Sequence, residues 1–223
     1  MSNITITAFK WVPPMVQGLV RDLRVRWALE EAGLPYEQKL IGPGEQNTPE
    51  HRVIQPFGQV PVYQEGDLTL FESGAILMHI AQKSTVLLPA DDAGRARVLQ
   101  WMFAALNSVE PHISALTTID LFNPNEEWAK LRRPGAEEFL RGRLKGLSTA
   151  LGDRDYFEGG RFTVADLLMT TVMRNLRHTS MIADYANLAA LQARCEARPA
   201  FGRALAAQLA NFEKHAPLFT KAA

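Results

Sequence analysis

The Val60-Pro61 step constrains this chain more than any other, because it stands twelve residues ahead of the pair Glu72-Ser73. Proline has no N–H and a fixed φ, so a strand ladder cannot run through Pro61 and the chain must turn there. An X-Pro bond is also the one place where a cis peptide is inexpensive. Such a turn presents the N–H and C=O of Val60 outward, where an extended peptide can pair with them as an added strand. Gly66-Asp67 reads as a hairpin turn between strands Val60 to Gln64 and Leu68 to Phe71. A helix then opens at Glu72-Ser73, with apolar residues at Ile76, Leu77 and Ile80. A hydroxyl and free N–H groups at a helix start suit a carboxylate, and Glu72 suits an ammonium; together they fit the free amino-acid end of a small peptide. A plainer reading stays open, in which Ser73 caps its helix and Glu72 is a first-turn acid.

The stretch Gly44 to Ile76, GEQNTPEHRVIQPFGQVPVYQEGDLTLFESGAI, resembles the cytosolic glutathione transferases, and among them the phi-like pattern GEHKxPEH…NPFGQVPxLxDGDLxLFESRAI. The resemblance implies glutathione as co-substrate, with no metal. It also implies a role for each matching position: the backbone of Val60 for the cysteinyl part, Glu72 and Ser73 for the γ-glutamyl end, and a contact from Gln59. Near the glycyl carboxylate, the family's His-Lys pair is replaced here by Gln46 and Asn47. These amides still donate hydrogen bonds, but without a cation each bond is about half as strong. The resemblance further implies a homodimer, with Phe57 a candidate apolar key at its interface or an internal packing residue.

Two compact domains suit 223 residues of which 47% are apolar. Ile4 to Phe9 alternates as a strand, Leu23 to Ala32 reads as a helix stopped by Gly33 and Pro35, and Tyr36 to Ile41 as a second strand. The resulting order is that of a thioredoxin-like α/β half, as the resemblance implies. We therefore expect a thioredoxin-like glutathione-binding domain over 1–83, a linker over 84–92 around Pro89, and an all-α domain over 93–223 that contributes the acceptor-substrate pocket.

In that second part Val98, Met102, Ala105, Leu106, Val109, Ile113 and Leu116 recur at steps of three and four, with a kink or break expected at Pro111. Leu140, Leu144, Leu147 and Leu151 repeat the pattern. Thr163 and Asp166 form a capping box ahead of Leu167, Leu168, Val172 and Met173. The family carries such a box at its central helix, so Asp166, like Pro61, is expected to be structural.

The chemistry is where the chain departs from the family. A thiol with a pKa near 8.5 is mostly protonated at neutral pH, and lowering it by about two units needs about 2.7 kcal/mol of preference for the thiolate. Family members place a Tyr, Ser or Cys after the first strand for this, and alignment on Arg24 and Ala28 to Gly33 puts Leu19 at that position. From Ala8 through Pro35 there is no Ser, Thr, Tyr or Cys. The candidate donors are the Trp11 indole, the Gln17 amide, the Arg21 guanidinium and backbone N–H groups near the helix start. Each also has a simpler role: Trp11 as a wall of the acceptor pocket together with Met15, Gln17 as a solvated amide, Arg21 on an exposed helix face. The expected function is a glutathione transferase adding the thiolate to a small apolar electrophile held against Trp11, Met15 and the first long helix. The alternatives are a binding or interaction protein with little catalysis, or glutathione-dependent lyase, isomerase or peroxidase chemistry.

Twenty-four basic and twenty-four acidic residues cancel, so neither nucleic acid nor an anionic membrane is expected as partner. With one cysteine, Cys195, on an apolar helical face, no secretory leader and no membrane-length apolar run, a cytoplasmic, reducing location is expected. The five histidines show no metal-ligand spacing.

Overall fold

Alternating side chains make Ile4–Phe9 the strand β1, in a computed structural model that describes residues 3–217. Helix α1 (Asp22–Ala32) follows and stops at Gly33, whose φ of 65° is the left-handed conformation that glycine adopts without steric cost. Strand β2 (Tyr36–Ile41), the short helix α2 (Pro49–Ile54), β3 (Tyr63–Glu65), β4 (Leu68–Leu70) and α3 (Ser73–Ala81) complete this part. The sheet order is β2-β1-β3-β4, with β1 parallel to β2 and the other pairs antiparallel. Ile6, Trp27, Leu29, Ile76 and Ile80 are fully enclosed between the sheet and its helices.

Strand β3 begins at Tyr63 rather than at Val60 as expected. Pro61 has no N–H to give a ladder, and the Val60-Pro61 bond is cis. The pairing starts only where Val62 offers its carbonyl to the Thr7 N–H at 2.8 Å. Strand β4 likewise ends at Leu70, leaving Phe71 outside the ladder.

The second part holds α4 (Asp92–Phe103), α5 (Glu110–Thr117), the 25-residue α6 (Glu127–Leu151), α7 (Val164–Met173) and α8 (Ala186–Glu196). Every residue of α7 is buried, Asp166, Thr170 and Thr171 included. Its capping box is formed: Asp166 accepts from the Thr163 N–H and hydroxyl at 2.8 Å each, and from the Phe157 N–H at 2.9 Å. Burial pushes the Asp166 carboxyl up to about 6, against the pull of these donors. Between α4 and α5 the chain passes through a wide π-turn stretch, Ala104–Val109, before Pro111 enters the first turn of α5. That wider turn shifts the stripe, so Ala105 and Val109 are buried while Leu106 is only half-buried, against the expected face.

The chain divides into two compact units, residues up to Thr85 joined by those from Pro199 onward, and Val86–Arg198. Helix α9 (Pro199–Lys214) thus departs from the expected division, in which everything after residue 92 is one helical domain. Side-chain pairing explains it. Phe201 meets Trp27 of α1 edge-on at 4.8 Å, Arg203 pairs with Glu30, and Gln208 donates to Asp22 at 2.7 Å.

Candidate functional site

The register of the sheet gathers the candidate residues at one end of the first unit. Phe9 pairs with Ile41, so β1 and β2 finish together; Tyr63, the first residue of β3, lies opposite Ile6 and Leu70. The loops that follow β1, β2 and β4, and the turn that precedes β3, therefore leave the same sheet edge. They carry Trp11 to Arg21, Gln46 and Asn47, Glu72 and Ser73, and Gln59 and Val60 respectively.

At the turn, neither the N–H nor the C=O of Val60 has a hydrogen-bond partner among the described residues. Val60 is nonetheless buried, whereas Gln59 is exposed. The Gln59 carbonyl is held at 2.9 Å by Nε2 of His51, which donates to it. His51 is 6% exposed and braces the turn from α2, a role no motif in the sequence signals.

Glu72 is the one non-glycine residue with positive φ among the described residues, at 67°. A side chain rarely adopts that backbone conformation, which costs about 1–3 kcal/mol and persists mostly at functional positions. It is the N-cap of α3, yet no side chain caps this helix. Ser73 is the first helical residue, and its Oγ accepts from Nη1 of Arg24 at 3.1 Å. The simple capping role for Ser73 is thereby excluded. Arg24, 2% exposed, reaches across from α1, and its part is likewise invisible to local sequence patterns.

On the loop after β2, Gln46 has a buried Oε1 that receives no hydrogen bond. Asn47 Oδ1 accepts from Nη2 of Arg52 at 2.8 Å.

The segment after β1 offers fewer free donors than its sequence suggests. Gln17 Nε2 donates to the Val12 carbonyl at 3.0 Å, tying the loop to itself instead of standing solvated. Arg21 is the residue at the start of α1, with partners of its own. The indole N–H of half-buried Trp11 has no partner among the described residues, and Met15 is 49% exposed. Leu19 is half-buried and its N–H is taken by the Val16 carbonyl at 3.0 Å, whereas the next N–H, that of Val20, has no acceptor among the described residues. Below this segment Asp22 and Arg26 form a fully buried pair at 2.6 Å. Burial holds the Asp22 carboxyl above its ordinary range, more than Arg26 and Gln208 pull it down.

Elsewhere, hydrogen bonds from Lys83, His79 and Tyr63 bring Glu65 down to about 2, a structural cluster at the far end of the hairpin. Burial pushes the fully enclosed Cys195 thiol up to about 12, which leaves it inert. Among the described residues no group of three or more His, Cys, Asp or Glu could hold a metal ion, and no helix is long and apolar enough to cross a membrane.

Comparison with known proteins gives two domain matches: the glutathione S-transferase N-terminal domain over residues 14–82 and the glutathione S-transferase C-terminal domain over 114–207. Glutathione S-transferase 4 of Zea mays is 32% identical over 197 residues, covering 84% of this chain and 83% of its own. A glutathione transferase family member of Pseudomonas fluorescens Pf-5, crystallised with two glutathione bound, superposes with a TM-score of 0.80 at 27% identity over 92% of each chain. A glutathione transferase of Burkholderia graminis, with two glutathione molecules per subunit, gives 0.79 at 28% identity over 92% of this chain and 88% of that one.

Proposed function

We propose that this chain, which belongs to the glutathione S-transferase family and is a glutathione transferase by that kinship, binds glutathione along Gln59 and Val60 and directs its thiolate at a small apolar electrophile. The observation that carries the site is the unpaired backbone of Val60. Neither group is used within the turn, and an extended peptide laid beside it satisfies both at once. Glu72 takes the γ-glutamyl ammonium and Ser73, with the α3 first-turn N–H groups, its carboxylate; Gln46 and Asn47 face the glycyl end. Catalysis in this reading is positioning plus stabilisation of the thiolate, with no covalent enzyme intermediate.

For the sulfur, the Val20 N–H and the Trp11 indole are the donors we favour, with Gln17 and Arg21 secondary because both already have partners. Trp11 and Met15 offer apolar surface to the electrophile. Leu19 supports a second reading, in which the pocket binds glutathione but activates it little. Ultraviolet titration of the bound thiol separates the two. The transferase reading expects a bound pKa about one unit or more below the reference of about 8.5, and Leu19→Ser should lower it by about one further unit and raise conjugation at pH 7 by no more than about threefold. A native value equal to that of free glutathione would leave the binding-protein reading standing.

We also propose that two copies associate through Phe57, which is 61% exposed and stacks edge-on with Phe71 at 6.2 Å. Phe57→Ser should shift sedimentation from dimer to monomer; an unchanged native dimer would place the interface elsewhere. A reducing, cytoplasmic location fits a single enclosed thiol.

A further inference from the structure

We propose that Arg52 is a positioning residue that restores positive charge at the glycyl end of the glutathione site, acting through Asn47. The inference rests on the glutathione reading above. With Gln46 and Asn47, the loop after β2 contains no cation at these two positions. The geometry brings one in from α2. Arg52 is clamped at two points, donating through Nη1 to the Pro56 carbonyl at 2.7 Å and through Nη2 to Asn47 Oδ1 at 2.8 Å.

This clamp has two chemical consequences. With the Asn47 oxygen accepting from the guanidinium, its NH2 is the group left to donate, and Nδ2 has no acceptor among the described residues. The positive charge then lies one amide group behind those protons, where it attracts any carboxylate that they bind. Gly58 makes room for the arrangement. A Cβ there would lie 2.8 Å from both Arg52 Cζ and Asn47 Oδ1, and the residue has a φ of 63°. Any side chain at 58 would push the guanidinium off the amide. Arg52 is exposed and keeps further N–H groups beyond the two engaged.

The test compares glutathione with its glycyl monoethyl ester, which keeps the tripeptide but replaces the glycyl charge with a neutral ethyl ester, by calorimetry on the full chain. The native protein should prefer glutathione about fivefold, the size of a partly screened charge contact. Arg52→Gln should bring the two ligands to equal affinity by weakening glutathione alone, and Arg52→Lys should recover part of the preference. Asn47→Ala, which spares the bond to Pro56, should also remove it. Equal weakening of both ligands in Arg52→Gln would show that Arg52 only braces the turn, and an undiminished preference would show that the charge is not felt; either overturns the proposal. Binding of neither ligand by the native protein would overturn the glutathione reading itself.

Discussion

Ser73→Ala should weaken glutathione binding about fiftyfold in calorimetry and lower the melting temperature by a few degrees, since buried Arg24 loses an acceptor. The reasoning starts from the Ser73 oxygen, which is 5% exposed and accepts a hydrogen bond from Arg24. An oxygen engaged in this way has its own proton free, polarised by the guanidinium behind it, and aimed away from Arg24. In the proposed site, a γ-glutamyl carboxylate at the start of α3 would receive that O–H together with backbone N–H groups. Removing the hydroxyl leaves a charged ligand group short of a donor in a largely desolvated place, a loss of about 2–3 kcal/mol. At about 1.4 kcal/mol per tenfold this is a factor of about fifty. Ser73→Thr keeps the hydroxyl and should retain most of the affinity. Unchanged binding in Ser73→Ala would remove this residue, and with it the orientation of the peptide, from the proposed site.

The second large effect is on stability. Asp22→Ala should cost about 4 kcal/mol in denaturant unfolding, because it strands Arg26, a guanidinium with no exposed surface, without its counter-ion. Arg26 keeps a bond to Gln38 Oε1 at 2.7 Å, but its Nη1 has no acceptor even in the intact protein. Asp22 also holds the Gln208 amide, which donates to the Val20 carbonyl at 3.2 Å as well. Losing it therefore loosens α9 from α1 at the segment that carries the Val20 N–H. Hydrogen exchange should rise in α9 before it rises in the sheet. The double change Asp22→Leu with Arg26→Met removes both charges and should recover most of the loss, since a buried pair is often no better than well-packed apolar groups. A loss below about 1 kcal/mol in Asp22→Ala would mean that water or another cation partner compensates the pair.

How much of this was readable beforehand depends on the range over which each feature is encoded. Local chemistry was legible. The absence of an N–H at Pro61 forces a turn, Gly33 ends α1 by adopting positive φ, and the Thr163-x-x-Asp166 spacing closes a capping box within one helical turn. The Gly44 to Ile76 motif likewise carried the family. Even so, local rules misplaced details wherever a backbone irregularity intervened. Strand β3 starts three residues later than expected, and the π-turn after α4 rotates Leu106 partly out of the core.

Contacts between distant residues followed a different rule. Arg24 and Ser73 are 49 positions apart, Asp22 and Gln208 are 186 apart, and no periodicity links the members of either pair. Arg52 and His51 sit in a six-residue helix whose sequence gives no sign that one supports Asn47 and the other the Gln59 carbonyl. The assignment of α9 to the first unit arises in the same way, from Phe201 meeting Trp27. Residue order alone settled the family, the strand and helix types, and the absence of a hydroxyl between Ala8 and Pro35, because hydrogen-bonding capacity and φ preference belong to each residue wherever it stands. Which groups hold the serine, brace the turn and engage Asn47 was decided only by tertiary packing, because a side chain acquires its partner from the neighbours that folding brings to it.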